Sequence, residues 1–209
     1  MSDQQQEAGK AKQAGRQLQP AAGQGHGLAA AGRTVAVFGS GSAPAGHPVL
    51  AQAEWLGRML AEAGFVLICG GYGGTMEAAS RGARQAGGKV IGVTLDLFAP
   101  RLLPNRWLTV EQRVSDFFPR LQRLSSADGF VILRGGVGTL TEATLVWTLL
   151  QTGQITPRPF LFVGEDWHRL FRALRAETFV TERDLALVRV VGTVEEAVAL
   201  LNVAMAPTP

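Results

Sequence analysis

The sequence is short of lysine, cysteine and histidine, and each shortage removes a class of chemistry. Cys69 is the only cysteine, which excludes an intramolecular disulfide and fits a reducing compartment, so a cytoplasmic protein is expected. Of the 20 basic residues only three are lysines: Lys10 and Lys12 near the start and Lys89 further on. Schiff-base chemistry would therefore rest on Lys89 or on nothing. The three histidines (His26, His47, His168) are scattered without ligand spacing, and no metal site is expected. No apolar run approaches the ~18 residues of a membrane span. A net charge of +3 is too small to argue for nucleic acid. Six arginines nevertheless fall from Arg101 to Arg134, a local excess that suits one small anion better than a polymer.

What remains organises into a tail and one domain. Residues 1–32 are rich in Gln, Ala and Gly with few large apolar side chains, the composition of a disordered tail. Residues 33–205 make a body long enough to bury roughly 70% of its unfolded surface without disulfides or metals. In it, short apolar runs at 34–38, 65–69, 90–93, 129–133 and 159–163 read as buried strands. Helical patterns lie near 48–63, 75–86, 115–124, 139–151, 167–177 and 194–205. Such alternation predicts an α/β fold: a doubly wound, Rossmann-like parallel sheet with helices on both faces and ligands beyond the carboxyl ends of its strands.

Three Gly-rich segments follow predicted strands, and a fourth precedes one. Gly39-Ser40-Gly41-Ser42-Ala43-Pro44 lacks the third glycine of a dinucleotide fingerprint, because Pro44 stands there. Gly87-Gly88-Lys89 precedes a strand rather than a helix and has Val90 where a P-loop needs Ser or Thr. Gly70-Gly71-Tyr72-Gly73-Gly74-Thr75-Met76-Glu77 permits close backbone approach, although a plain strand-to-helix turn would explain it too. The strongest element is Arg134-Gly135-Gly136-Val137-Gly138-Thr139-Leu140-Thr141-Glu142. Successive glycine amides opening onto a helix N-terminus make an anion cradle. The spacing of Thr139 and Glu142 also reads as a capping box. A carboxylate beside a phosphate cradle repels the ligand, which points instead to a chemical task for Glu142.

At these residues the sequence resembles the Lonely Guy (LOG) family. The segment 133–142 matches its P-G-G-x-G-T-x-x-E signature with Arg134 in place of Pro, and the segments at 37–42, 70–77 and 87–93 fit its other blocks in order. The resemblance implies a dimeric phosphoribohydrolase without a cofactor, cleaving cytokinin nucleoside 5′-monophosphates to free base and ribose 5-phosphate. It also implies a catalytic pair, Glu142 and an Arg on the preceding helix. That Arg is expected at Pro119; Arg120 lies one residue later, with Arg123 a turn further on, and Leu121 stands where the family has Lys. Gly135, Gly136, Val137, Gly138 and Thr139 would bind the phosphate. Ser40, Gly71, Gly73, Gly74, Met76, Glu77, Arg123 and Arg134 would line the substrate pocket.

Glycosidic cleavage passes through a cation-like sugar that a carboxylate stabilises, the role expected of Glu142. Arg120 is too weak an acid to protonate the leaving base and would hold and neutralise the substrate. Molybdenum-cofactor carrier proteins are similar in the same blocks, including Met76-Glu77, so a non-catalytic binder of a phosphorylated ligand, or a nucleotide-sensing regulator, is the alternative. A homodimer is expected from the helix near 139–151: Leu140, Ala143, Trp147 and Leu150 read as its buried stripe, and Leu145, Val146 and Leu149 carry apolar surface to other faces.

Overall fold

The computed structural model describes residues 32–99 and 101–206. The expected tail, save Gly32, lies outside the described residues. Seven strands form one fully parallel sheet in the order β4-β3-β2-β1-β5-β6-β7. They are β1 (Thr34–Phe38), β2 (Val66–Cys69), β3 (Val90–Leu95), β4 (Val110–Val114), β5 (Gly129–Ile132), β6 (Phe160–Val163) and β7 (Arg189–Val191). The helices are α1 (Pro48–Glu62), α2 (Thr75–Gln85), α3 (Phe117–Leu124), α4 (Val137–Gln151), α5 (Asp166–Glu177), α6 (Glu182–Leu185) and α7 (Val194–Ala204).

The central strands are apolar on both sides, as a sheet covered twice requires. Val35, Val37, Leu67, Cys69, Val131 and Leu133 face one core with residues of α1, α2 and α7. Their sequence neighbours Ala36, Phe38, Ile68, Phe130 and Ile132 face the other, with Leu124, Ala143, Val146, Trp147, Trp167 and Phe171. The α1–α2 contact is unusually close because of two glycines. A Cβ on Gly57 would overlap the carbonyl of Ala79, and one on Gly82 that of Glu54.

The sheet has seven strands where the apolar runs predict five. The two extra strands, β4 and β7, are its edges. β4 reads Val-Glu-Gln-Arg-Val and is largely exposed, and β7 has three residues, so neither carries an apolar run. Strand order reverses at β1: the chain builds outward to β4, then returns beside β1 with β5. The helices that follow β1 and β5 therefore pack on opposite faces of the sheet, and the crevice between the two connections is where doubly wound sheets bind ligands.

Candidate functional site

Three Gly-rich turns meet at the carboxyl edge of the sheet, and backbone hydrogen bonds tie them together. The Ser40 amide donates to the Arg134 carbonyl (3.4 Å), joining the β1 and β5 turns. The Thr75 amide and hydroxyl both donate to the Ser40 carbonyl (2.9 and 3.1 Å), joining the β1 turn to the start of α2. Gly71 and Gly74 have φ of +81° and +65°, values that L side chains rarely adopt, so the β2–α2 turn requires glycine there. Asn105 holds that turn from behind: its amide donates to the Gly71 carbonyl (2.9 Å) and its Nδ2 to the Tyr72 carbonyl (3.1 Å). In the sequence Asn105 is one polar residue after a proline, and nothing distinguishes it.

Arg120 and Glu142 meet in this frame. Arg120 Nη1 donates to Glu142 Oε1 at 3.0 Å, and the two side chains are 7% and 11% exposed. Arg120 comes from α3, and its Nε also donates to the Val93 carbonyl within β3 (3.0 Å). Its remaining nitrogen, Nη2, fills the space a Cβ on Gly70 would occupy. The arginine is thus anchored at two nitrogens and confined at the third. Arg123 turns instead to Gln112 on β4 (3.3 Å), so Arg120 is the arginine that faces Glu142. Burial pushes the Glu142 carboxyl above its ordinary range, against the opposing pull of the Arg120 guanidinium and its hydrogen bond.

The capping-box reading of Thr139 and Glu142 is overturned. Helix α4 starts two residues earlier, at Val137, with Gly136 as its N-cap, and no side chain caps it. Thr139 is therefore buried in the first turn rather than capping it, and its side chain fills the space a Cβ on Gly135 would need. Glu142 lies nearly two turns in, free of capping and pointed at Arg120. The earlier start leaves the first amides of α4, from Val137 onward, without carbonyl partners of their own helix, beside the glycine turn.

The other expected pocket residues spread along the same edge. Met76 Sδ abuts Gly70 and Met76 Cε abuts Gly41, so its side chain lies between the β1 and β2 turns. Glu77 sits in the first turn of α2, where the helix dipole favours an acid. Ser40, Arg134, Gly135 and Gly136 line a cavity of about 410 Å³ together with Ser42 and His47. Among the described residues no cluster of His, Cys, Asp or Glu could hold a metal ion. No helix among them is long and apolar enough to cross a membrane.

A parallel sheet with a switch point, glycine turns at its carboxyl edge and a buried Arg–Glu pair beside them define a Rossmann-like α/β protein with one candidate site. The chain belongs to the family described as "Possible lysine decarboxylase", of LOG type, whose model matches residues 76–201. It is 34% identical over 117 residues to the cytokinin riboside 5′-monophosphate phosphoribohydrolase of Mycobacterium marinum, covering 55% of this chain and 62% of that protein. A rice protein (Oryza sativa subsp. japonica), named as a probable enzyme of the same kind, is 36% identical over 124 residues, 57% of this chain and 49% of its own. The match thus spans less than two thirds of either relative. In fold, the chain is similar to the molybdenum cofactor carrier protein of Chlamydomonas reinhardtii (TM-score 0.65, 24% identity, 84% of this chain and 99% of that one). It is also similar to the molybdenum cofactor binding protein of Rippkaea orientalis (TM-score 0.67, 23% identity, 83% and 98%).

Proposed function

We propose that this protein is a phosphoribohydrolase that cleaves the N-glycosidic bond of a nucleoside 5′-monophosphate, of the cytokinin type, to free base and ribose 5-phosphate. The observation that carries this reading is the buried Arg120–Glu142 pair beside the glycine cradle. A binder of phosphate has no use for a desolvated carboxylate there, whereas a developing sugar cation does. The names of the curated relatives point the same way.

In this mechanism the amides from Gly135 to Thr139 hold the 5′-phosphate at the positive end of α4. The C1′–N bond breaks with its electron pair leaving on the base. Glu142, as carboxylate, stabilises the cationic C1′ while water attacks it, and the proton that the water gives up ends on the departing base. Arg120 keeps Glu142 ionised and in place despite its burial, and offsets charge on the departing base. The substrate lies over Gly71, Gly73, Gly74, Met76 and Glu77 on its ribose or base side. Every role is filled by the chain's own side chains and amides, without a cofactor.

The active species is a homodimer in this reading. Helix α4 carries no charged residue except Glu142, which is turned inward. Its outer face presents Val137 and Leu140, 80% and 38% exposed, and threonines whose hydroxyls donate back to carbonyls of the same helix. That face is apolar in effect and suits a symmetric contact.

A second reading, a non-catalytic carrier of a phosphorylated ligand such as the molybdenum cofactor, draws on Met76-Glu77 and on the fold shared with two such proteins. It uses the amide cradle and leaves Arg120 and Glu142 without a task. Incubating pure protein with a panel of nucleoside 5′-monophosphates and assaying ribose 5-phosphate and free base separates the two. Stoichiometric release over many turnovers is expected; tight binding with no release from any nucleotide would favour the carrier.

A further inference from the structure

We propose that the crevice between β1 and β5 is a second anion subsite, built on Arg134 and His47, which fits the protein for a ligand with two linked phosphoryl groups, such as a nucleoside 5′-diphosphate. This rests on the reading that the amides of Gly135–Thr139 take the 5′-phosphate. The cavity, about 410 Å³, lies in the range of roughly 300–1,000 Å³ typical of small-molecule sites. Its polar lining is Ser40, Ser42, His47, Arg134 and the backbone of Gly135 and Gly136, with no acidic side chain; neither Arg120 nor Glu142 reaches it.

Two helix starts converge there, since His47 is the N-cap of α1 and Gly136 that of α4. His47 Nδ1 accepts the Val49 amide (3.1 Å), which places the proton of the neutral ring on Nε2 and makes that nitrogen a donor. The Ser42 amide donates to Ser40 Oγ (3.2 Å), which leaves the Ser40 hydroxyl hydrogen as another donor. Arg134 brings the formal positive charge, at a position where the LOG signature has an uncharged proline. Its present partner, Asp166, is 3.4 Å away, on the surface, and already shared with Arg169. Such an exposed pair is weak and yields readily to a phosphoryl group, with which arginine forms bidentate, charge-assisted bonds. In this proposal one phosphoryl group takes the amides of Gly135–Thr139, which the cavity shares at Gly135 and Gly136, and Arg134, His47 and Ser40 are left to a second.

Calorimetric titration of the full chain with inorganic phosphate and with pyrophosphate, at one ionic strength and without divalent cations, tests this independently of the base. Pyrophosphate is expected to bind about tenfold or more tightly than phosphate, from the added charge-assisted contacts. That ratio should fall toward unity in Arg134→Pro and Arg134→Gln, the latter covering any folding defect of the former. Arg172→Ala, which removes the same charge elsewhere, should keep the ratio. Phosphate binding without a pyrophosphate preference would overturn the subsite and leave the amide cradle standing. No binding of either anion would remove both. A preference that survives both Arg134 variants would overturn the role of Arg134.

Discussion

Gly70→Ala tests whether the confinement of Arg120 matters, because the added methyl group lands on the arginine. The new Cβ would overlap Arg120 Nη2 outright, lie 2.7 Å from Met76 Sδ and 3.3 Å from Arg120 Cζ. Comfortable contacts between such atoms are about 3.5–4.0 Å, so the guanidinium must retreat by roughly 1 Å or more. It cannot do so freely, since Nε is held by the Val93 carbonyl and Nη1 by Glu142, each at 3.0 Å. One of those bonds therefore breaks or stretches. Misplacing a catalytic group by 1 Å can cost about 10²-fold in rate, or about 2.7 kcal/mol of transition-state stabilisation. Overpacking of this kind costs about 1–3 kcal/mol of stability as well. The expected result is a kcat/KM for ribose 5-phosphate release about a hundredfold below wild type, with a measurably lower melting temperature. Gly192→Ala is the matched control, since its methyl would meet nothing closer than 3.9 Å. Wild-type turnover and melting in Gly70→Ala would refute the reasoning, for Arg120 would then have room that the packing denies it.

Three further outcomes follow from the same site. Glu142→Gln should lower turnover by at least about 10²–10³-fold, the scale of losing one electrostatic stabiliser, while phosphate binding is kept or tightened; calorimetry beside the release assay measures both, and unchanged turnover would reduce Glu142 to a structural partner of Arg120. In wild type, kcat/KM should rise with pH as Glu142 ionises, with its midpoint above the ordinary glutamate value of about 4.3 because burial raises it. The matching stability term has the opposite sense: it is full below the unfolded pKa and declines as pH rises through the raised folded pKa, and both trends should vanish in Glu142→Gln. Leu149→Arg or Leu145→Arg, on the part-exposed side of α4, should shift light scattering from a dimer of about twice 22.2 kDa toward the monomer before the subunit unfolds; a wild-type protein that is already monomeric at micromolar concentration would contradict the dimer.

The buried stripe of α4 illustrates where periodicity misleads. Leu140, Ala143, Trp147 and Leu150 fit helical spacing, yet Leu140 is 38% exposed and Val146, expected to face outward, is fully buried. The core-facing set is Ala143, Val146 and Trp147, with Leu150 packed beside them. Both sets satisfy an i, i+3, i+4 or i+7 pattern, because a helix with apolar residues on most faces has no unique stripe. Its rotation is decided by packing against β1, α3 and Phe171 of α5, which sequence does not encode locally.

The sequence by itself determined the parallel α/β architecture, the five central strands and the glycine turns after β1, β2 and β5. Those features are local: an apolar run covered on both faces, a helix period and a residue without Cβ each leave a signature within a few positions. It also singled out Glu142, through its spacing from the glycines. Only the tertiary structure decided which arginine meets Glu142. Arg120 and Arg123 are both on α3, three residues apart, and the choice depends on how that helix is turned against β3 and on the empty space at Gly70. Likewise the edge strands, the support from Asn105 and the crevice between Ser40 and Arg134 arise from contacts between segments distant in the chain. No local pattern announces them, because their energy comes from neighbours that the fold supplies.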